Sequence, residues 1–95
     1  MAQKTVRFNQ KGIAKLPDDK PVIYKIMTPD GSNNYTGSAK RGRVQQRIGE
    51  HLPGAKDPVP GAKVVIQQVS TIAEARAKEQ RIIVRSQPKY NEQGK

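Results

Sequence analysis

Apolar residues in this chain follow two different spacings, and the change between them marks the elements. Residues 22–27, Val-Ile-Tyr-Lys-Ile-Met, crowd β-branched and aromatic side chains together as strands do. Thr28-Pro-Asp-Gly31 is a turn, with proline presetting φ and glycine permitting the exit. Residues 33–37 then read as a short returning strand, so the two segments predict a hairpin. Over residues 43–52 the spacing changes: Val44, Ile48 and Leu52 recur every four positions, the stripe of a helix. The Pro- and Gly-rich stretch 53–61 cannot continue that helix and is a surface loop. Residues 63–69 predict a third strand. Ser70-Thr71 opens a second, longer helix over residues 72–85, with Thr71 and Glu74 spaced as a capping box and Pro88 as its stop. Residues 1–20 carry only isolated apolar positions, Val6, Phe8, Ile13 and Leu16. They read as an arm that docks loosely, with a short turn near residues 12–16. The expected fold is α/β: a small three-stranded, mostly antiparallel sheet flanked by helices. The expected layout is a basic N-terminal arm over 1–21, one domain over 22–91 and a tail over 92–95.

The hairpin pattern has a consequence for its two tyrosines. If the loop is Pro29-Asp30, Tyr24 lies opposite Tyr35; if it is Asp30-Gly31, Tyr24 lies opposite Gly37. Either loop of even length puts Tyr24 and Tyr35 on one face of the sheet, because side chains alternate with period two. A three-residue loop breaks this.

In the second helix Ile72, Ala75, Ile82 and Ile83 form the apolar stripe, and Glu79 falls in its middle. A carboxylate carried into a core without partners is costly, roughly 2–7 kcal/mol even for a neutral polar group. Glu79 is therefore expected to have a partner: a cation in a buried ion pair, a hydrogen-bond network or a metal ion. In the first helix Arg43, Arg47 and His51 form a second row beside the apolar one, also spaced by four. Such a row suits an anionic ligand at the seam between helix and sheet; the competing reading is a solvated basic face.

Composition supports an anionic ligand. Lysine and arginine total 18 against 8 acidic residues, a formal net charge of +10. So strong an excess on so short a chain suggests a polyanionic partner, although a basic surface alone has the same composition. The 95 residues are 34% hydrophobic with three tyrosines, one phenylalanine and no tryptophan, so the core must come mainly from Val, Ile, Leu and Ala. Cysteine is absent, which removes disulfides and cysteine-ligated zinc. No apolar run approaches a membrane span or a signal-peptide core, so the expectation is a cytoplasmic protein without a membrane partner.

The order strand, turn, strand, helix, strand, helix, Pro88-Lys-Tyr-Asn91 carries specific residues. The hairpin holds Val22-Ile-Tyr24 and Tyr35-Thr-Gly37; Tyr35-Thr-Gly-Ser-Ala-Lys40, Arg47-Ile-Gly-Glu-His51 and Glu79-Gln-Arg-Ile-Ile83 follow. Taken together, residues 22–91 resemble the GIY-YIG nuclease domain, named for two such tripeptides on adjacent strands. The resemblance implies a metal-dependent endonuclease that hydrolyses DNA phosphodiester bonds. It implies that Tyr24 helps activate the attacking water and that Tyr35 orients the phosphate. Arg47 then stabilises developing negative charge, and His51 assists proton transfer or binds phosphate. Glu79 is implied as the ligand of one Mg2+ (or Mn2+) ion, Asn91 as a support for the site, and Gly37 as the residue that allows close approach. Lys40, Arg41 and Arg43 stand beside this set as nucleic-acid contacts. A hard cation would also supply the partner that Glu79 needs.

The chain departs from the family pattern at Val22 and Thr36, neither of which bears the chemistry. Ser38 stands where repair-type members often carry lysine, and about two extra residues lie near Arg41-Gly42. The alternative to an enzyme is a basic nucleic-acid-binding module that keeps the fold without catalysis. DNA is the expected substrate with its structure open, RNA stays open as well, and a partner protein for targeting is compatible with the absence of a second domain.

Overall fold

A computed structural model describes residues 3–86. The β-branched run at Val22–Met27 becomes β2, the strand with neighbours on both sides. In order along the chain the elements are β1 (Gln3–Arg7), α1 (Gln10–Ala14), β2 (Val22–Met27), β3 (Asn33–Ala39), α2 (Val44–Gly49), β4 (Lys63–Gln68) and α3 (Ile72–Ser86). The strands lie side by side in the order β1-β4-β2-β3, and every pairing is antiparallel. No helix among the described residues is long and apolar enough to cross a membrane.

The sheet has four strands rather than the three expected, and the fourth comes from the segment read as a loose arm. Residues Gln3–Arg7 pair along β4, from Gln3 opposite Gln67 to Arg7 opposite Lys63. Only Val6 in this strand is even half-buried, so no apolar alternation announced it. Backbone hydrogen bonds to β4 order it instead, and Lys4 and Arg7 are the charges that suit an edge strand. The chain then turns into α1, whose first N–H groups are capped by Asn9 accepting from the Gly12 N–H at 2.7 Å. Phe8, Ile13 and Leu16 are buried in the main core. The arm is therefore structural, and its isolated apolar residues are anchors.

Period two assigns the sheet's faces. Val22, Tyr24 and Ile26 point one way and pack with Ala39, Val64 and Ile66 under Ile13 of α1 and Val44 and Ile48 of α2. Ile23 points the other way and packs with Val69 and with Ile72, Ala75 and Ile82 of α3. The result is a sheet between two helical layers, with α3 lying over β2 and the edge strand β3.

The β2–β3 connection resolves the hairpin question in an unexpected way. Met27 pairs with Asn33, which leaves the five residues 28–32 as the loop, with Gly31 at φ 92° and its N–H bonded to the Thr28 carbonyl at 3.0 Å. A five-residue loop alone would send Tyr35 to the wrong face. A bulge at Asn34 corrects it: Ile26 pairs with Tyr35 and Tyr24 with Gly37, so the tyrosines share a face after all. Side chains hold the bulge in place. Asn33 Oδ1 accepts from the Tyr35 N–H at 3.1 Å, its Nδ2 donates to Thr36 Oγ1 at 2.7 Å, and Asn34 donates to the Pro60 carbonyl at 2.9 Å.

α2 and the start of α3 also differ from expectation. α2 ends at Gly49 instead of reaching residue 52. Beyond it the His51 N–H bonds to the Ile48 carbonyl at 3.0 Å and the Leu52 N–H to the Gly49 carbonyl at 3.2 Å, a tighter winding that leads into Pro53. Its start is capped by a distant residue, Asp18, which accepts from the Val44 N–H at 2.7 Å. The capping box of α3 forms with a one-residue offset: Thr71 Oγ1 accepts from the Glu74 N–H at 3.1 Å, and Glu74 accepts from the Ser70 N–H at 3.3 Å.

Candidate active site

The centre of the site is a buried phenol. Tyr24 has 0% exposure, since it stands mid-strand with β3 on one side and β4 on the other. Its neighbour across β3 is Gly37, where an added Cβ would lie 2.6 Å from the Tyr24 Cζ and hydroxyl oxygen and 2.9 Å from Tyr35 Cε2. The missing side chain lets the Tyr24 hydroxyl rest against the backbone of β3. The Tyr35 ring lies 6.1 Å from the Tyr24 ring, centroid to centroid, and is half-buried.

His51 completes a triangle of rings, 5.7 Å from Tyr24 and 4.5 Å from Tyr35. Sequence spacing put His51 in a helical row bordering the buried face. The early end of α2 instead turns it inward, to 1% exposure. Its Nδ1 lies 2.9 Å from the Asp57 backbone carbonyl and its Nε2 lies 2.9 Å from the Tyr24 hydroxyl. A carbonyl oxygen can only accept, so Nδ1 carries the proton and donates it there. With the imidazole neutral, Nε2 bears the lone pair and accepts from the Tyr24 O–H.

Two pKa shifts agree with that assignment. Burial pushes the His51 imidazole below its ordinary range, against smaller opposing effects of the Asp57 carbonyl and carboxylate. The Asp57 carboxylate is largely exposed and 3.8 Å from Nδ1, too solvated to reverse this. Burial likewise pushes the Tyr24 hydroxyl well above the usual phenol range, with the charge of Tyr35 next, while Arg47 pulls it down. Tyr35 is raised for the same first reason and also lowered by Arg47. The pair is therefore two neutral phenols with a neutral histidine behind them.

The charged residues converge on the same point from two helices. The positive charge of Arg47, from α2, and the negative charge of Glu79, from α3, are both felt by Tyr24 and by Tyr35. The Arg47 guanidinium is half-exposed and ion-paired with Glu50 at 3.2 Å. Glu79 differs from expectation. It is half-buried rather than carried into the core, because Ala75 is the fully buried residue of α3 while Ile72 and Ile82 are only partly covered. Burial alone thus places a weaker demand on it than its position in the apolar stripe implied. Among the described residues no cation stands within ion-pair distance of it.

The structure thus brings Tyr24, Tyr35, Gly37, Arg47, His51 and Glu79 together from four elements and one turn. Lys40 and Arg43 line a groove beside them with Arg47. Arg41 lies apart from these, in a second groove with Asp19, Lys20 and Gln68. Asn91, with the rest of Pro88-Lys-Tyr-Asn91 and the tail, lies outside the described residues. Two participants escaped the sequence reading. One is the Asp57 carbonyl, a backbone atom that no residue type announces. The other is Arg76 on the wall of the first groove, whose signal was its place one turn before Glu79 on the same helix.

A metal ion finds one carboxylate here. No group of three His, Cys, Asp or Glu side chains among the described residues is placed to hold an ion. A hard divalent cation that keeps most of its waters and takes a substrate phosphate needs only one or two carboxylates. Glu79, half-buried, with a charge felt by both tyrosines and no ion-pair partner among the described residues, fits that role.

Comparison with known protein families gives one match over most of the chain. The sequence model of the GIY-YIG catalytic domain matches residues 20–91. No curated protein matches the chain.

Proposed function

The chain belongs to the GIY-YIG catalytic-domain family, a family of nucleases, and from that membership we propose that it is a divalent-metal-dependent endonuclease that hydrolyses DNA phosphodiester bonds. The observation that carries the reading is the hydrogen bond from Tyr24 to His51 at 2.9 Å, with the histidine tautomer set by the Asp57 carbonyl. The bond sets the phenol proton against an unprotonated ring nitrogen, the arrangement a proton relay needs.

The chemistry follows from where protons and charges sit. Water attacks the phosphorus and the bond from phosphorus to the leaving oxygen breaks, the departing oxygen taking up a proton from solvent. The attacking water's proton goes to the Tyr24 oxygen as Tyr24 passes its own to His51 Nε2, so a phenolate never has to form in a site that disfavours one. Tyr24 is closed to solvent, so the water meets it on the Tyr35 side, where the two rings lie 6.1 Å apart. Tyr35 orients the phosphate. Arg47, released from its exposed pair with Glu50, binds the negative charge that spreads over the phosphate oxygens. Glu79 would hold the divalent ion, which when bound supplies positive charge to the phosphate and to the departing oxygen. Nucleic acid is the substrate class that accompanies the family; DNA is our choice within it.

The decisive variant is Glu79→Gln, which keeps shape and removes the charge. Cleavage of DNA in magnesium or manganese should fall to background, while binding measured in chelator stays within about threefold of the parent. Full metal-dependent cleavage by the purified variant would sink the assignment of Glu79 as metal ligand.

A further inference from the structure

Beside the tyrosines, a groove of about 310 Å³ runs between the end of β3, the start of α2 and the first turns of α3. Four of its lining residues are cations, Lys40, Arg43, Arg47 and Arg76, and none is an acid. Two nearby acids already have partners. Glu50 holds Arg47, and Glu74 holds Lys78 at 3.8 Å and the Ser70 N–H at 3.3 Å. Among the described residues the guanidinium groups of Arg43 and Arg76 have neither an ion pair nor a hydrogen bond. Arg43 and Arg47 stand one turn apart on one helix face, where like charges repel. An external anion relieves this repulsion, and a guanidinium fork matches phosphate oxygens in particular.

Arg76, which lines the groove, precedes Glu79 by three residues on α3. Of the groove cations, Arg47 is the one whose charge dominates at the tyrosines; Arg43 and Arg76 are not among the leading charges there. Arg47 therefore belongs to the reaction centre, and the other two lie one step along the groove.

We propose that Arg43 and Arg76 form a second phosphate site, which seats the phosphodiester adjacent to the one that is cut. The proposal rests on the nuclease reading of the neighbouring centre. The enzyme then needs a strand that continues past the scissile bond on the groove side, and a strand ending at that bond is a poor substrate. Binding at the second site sets the register of the strand before chemistry begins.

The test uses the full chain and duplex oligonucleotides in which a single phosphate is replaced by an uncharged methylphosphonate, scanned along the strand. Affinity is measured in chelator, and cut positions are mapped separately in magnesium. At one position, next to the cut, the replacement should weaken binding by the parent protein about tenfold. Arg76→Gln should weaken binding to unmodified DNA to a similar degree, and the two changes together should be no worse than either alone. Arg43→Gln should couple to the same position. Arg81→Gln, an exposed charge on the same helix outside the groove, should show plain additivity at every position. Additive effects for Arg76→Gln throughout the scan, or coupling just as strong for Arg81→Gln, overturn the second site. Coupling without any cleavage defeats the nuclease reading and leaves the phosphate site standing; cleavage without coupling does the reverse.

Discussion

At the scale of single residues the site depends on one missing side chain and one proton. Gly37 is required by contact, since a Cβ there would stand 2.6 Å from the Tyr24 hydroxyl end and 2.9 Å from the Tyr35 ring. Gly37→Ala should therefore cost about 1–3 kcal/mol of stability, as overpacking does, and should remove most cleavage by displacing both rings. Denaturant melts alongside a cleavage assay decide this, and an alanine variant with parental stability and turnover would contradict it. The second prediction concerns pH. Burial holds the folded-state pKa of His51 below its ordinary value near 6.5. Between those two values the unfolded chain binds more protons than the folded one. The stability tied to neutral His51 is thus fully present above about pH 6.5 and is lost as pH falls through the folded value. The acid limb of kcat/KM should lie below pH 6.5 for the same reason, because the relay needs an unprotonated Nε2. Melting temperature and kcat/KM measured across pH 4–8 should both show this dependence, and His51→Gln should flatten the histidine contribution to the melts. An acid limb above pH 7 would mean that His51 is not the acceptor.

At the scale of elements, the strand nearest the N-terminus separates a structural role from an accessory one. β1 pairs with residues 63–67 of β4, and Phe8, Ile13 and Leu16 behind it are core residues. Deleting residues 1–16 should abolish cooperative thermal unfolding. Phe8→Ala alone should cost about 3 kcal/mol. Lys4→Ala, an exposed edge change, should stay within about 0.5 kcal/mol. A truncated chain that melts cooperatively near the parental temperature would restore the picture of a loose arm. The hairpin shows the same dependence on context. Its turn residues and strand content were legible in the sequence, as was the shared face of Tyr24 and Tyr35. The route to that shared face was not, because two irregularities cancel: an odd loop reverses the alternation and the bulge at Asn34 reverses it again.

At the scale of the whole molecule, net charge sets how the chain meets its substrate. With a formal charge of +10 and four cations along one groove, binding to duplex DNA should be dominated by phosphate neutralisation. A plot of log affinity against log salt should be linear with a slope of at least about −1.8, or 0.9 for each of the two phosphates seated at Arg47 and at Arg43 with Arg76. Removing the divalent ion with chelator should stop cleavage and leave this slope in place. α2 and α3 each give one face to the core and carry groups of the candidate site, a placement that sets them along the backbone path, so sequence preference should be weak. Tight binding to one defined sequence in a footprint would contradict this.

What the sequence determined by itself was local and repetitive. The periods of two and four, the turn at Thr28-Pro-Asp-Gly31, the apolar stripes of both helices and the five family segments are all readable at short range, because they depend on the identity and spacing of neighbouring side chains. The tertiary structure decided whatever depends on backbone atoms or on residues far apart. β1 joins the sheet through main-chain hydrogen bonds that carry no residue signature. Asp18 caps a helix that begins 26 residues later. His51 leaves its expected row because α2 stops at Gly49, and it then finds a phenol on one side and the Asp57 carbonyl on the other. Glu79 sits in an apolar stripe by sequence yet remains half-buried, because α3 lies across the edge strand and covers only part of that stripe. A helical period specifies which residues share a face, but the depth of each residue on that face is set by the surface the helix packs against.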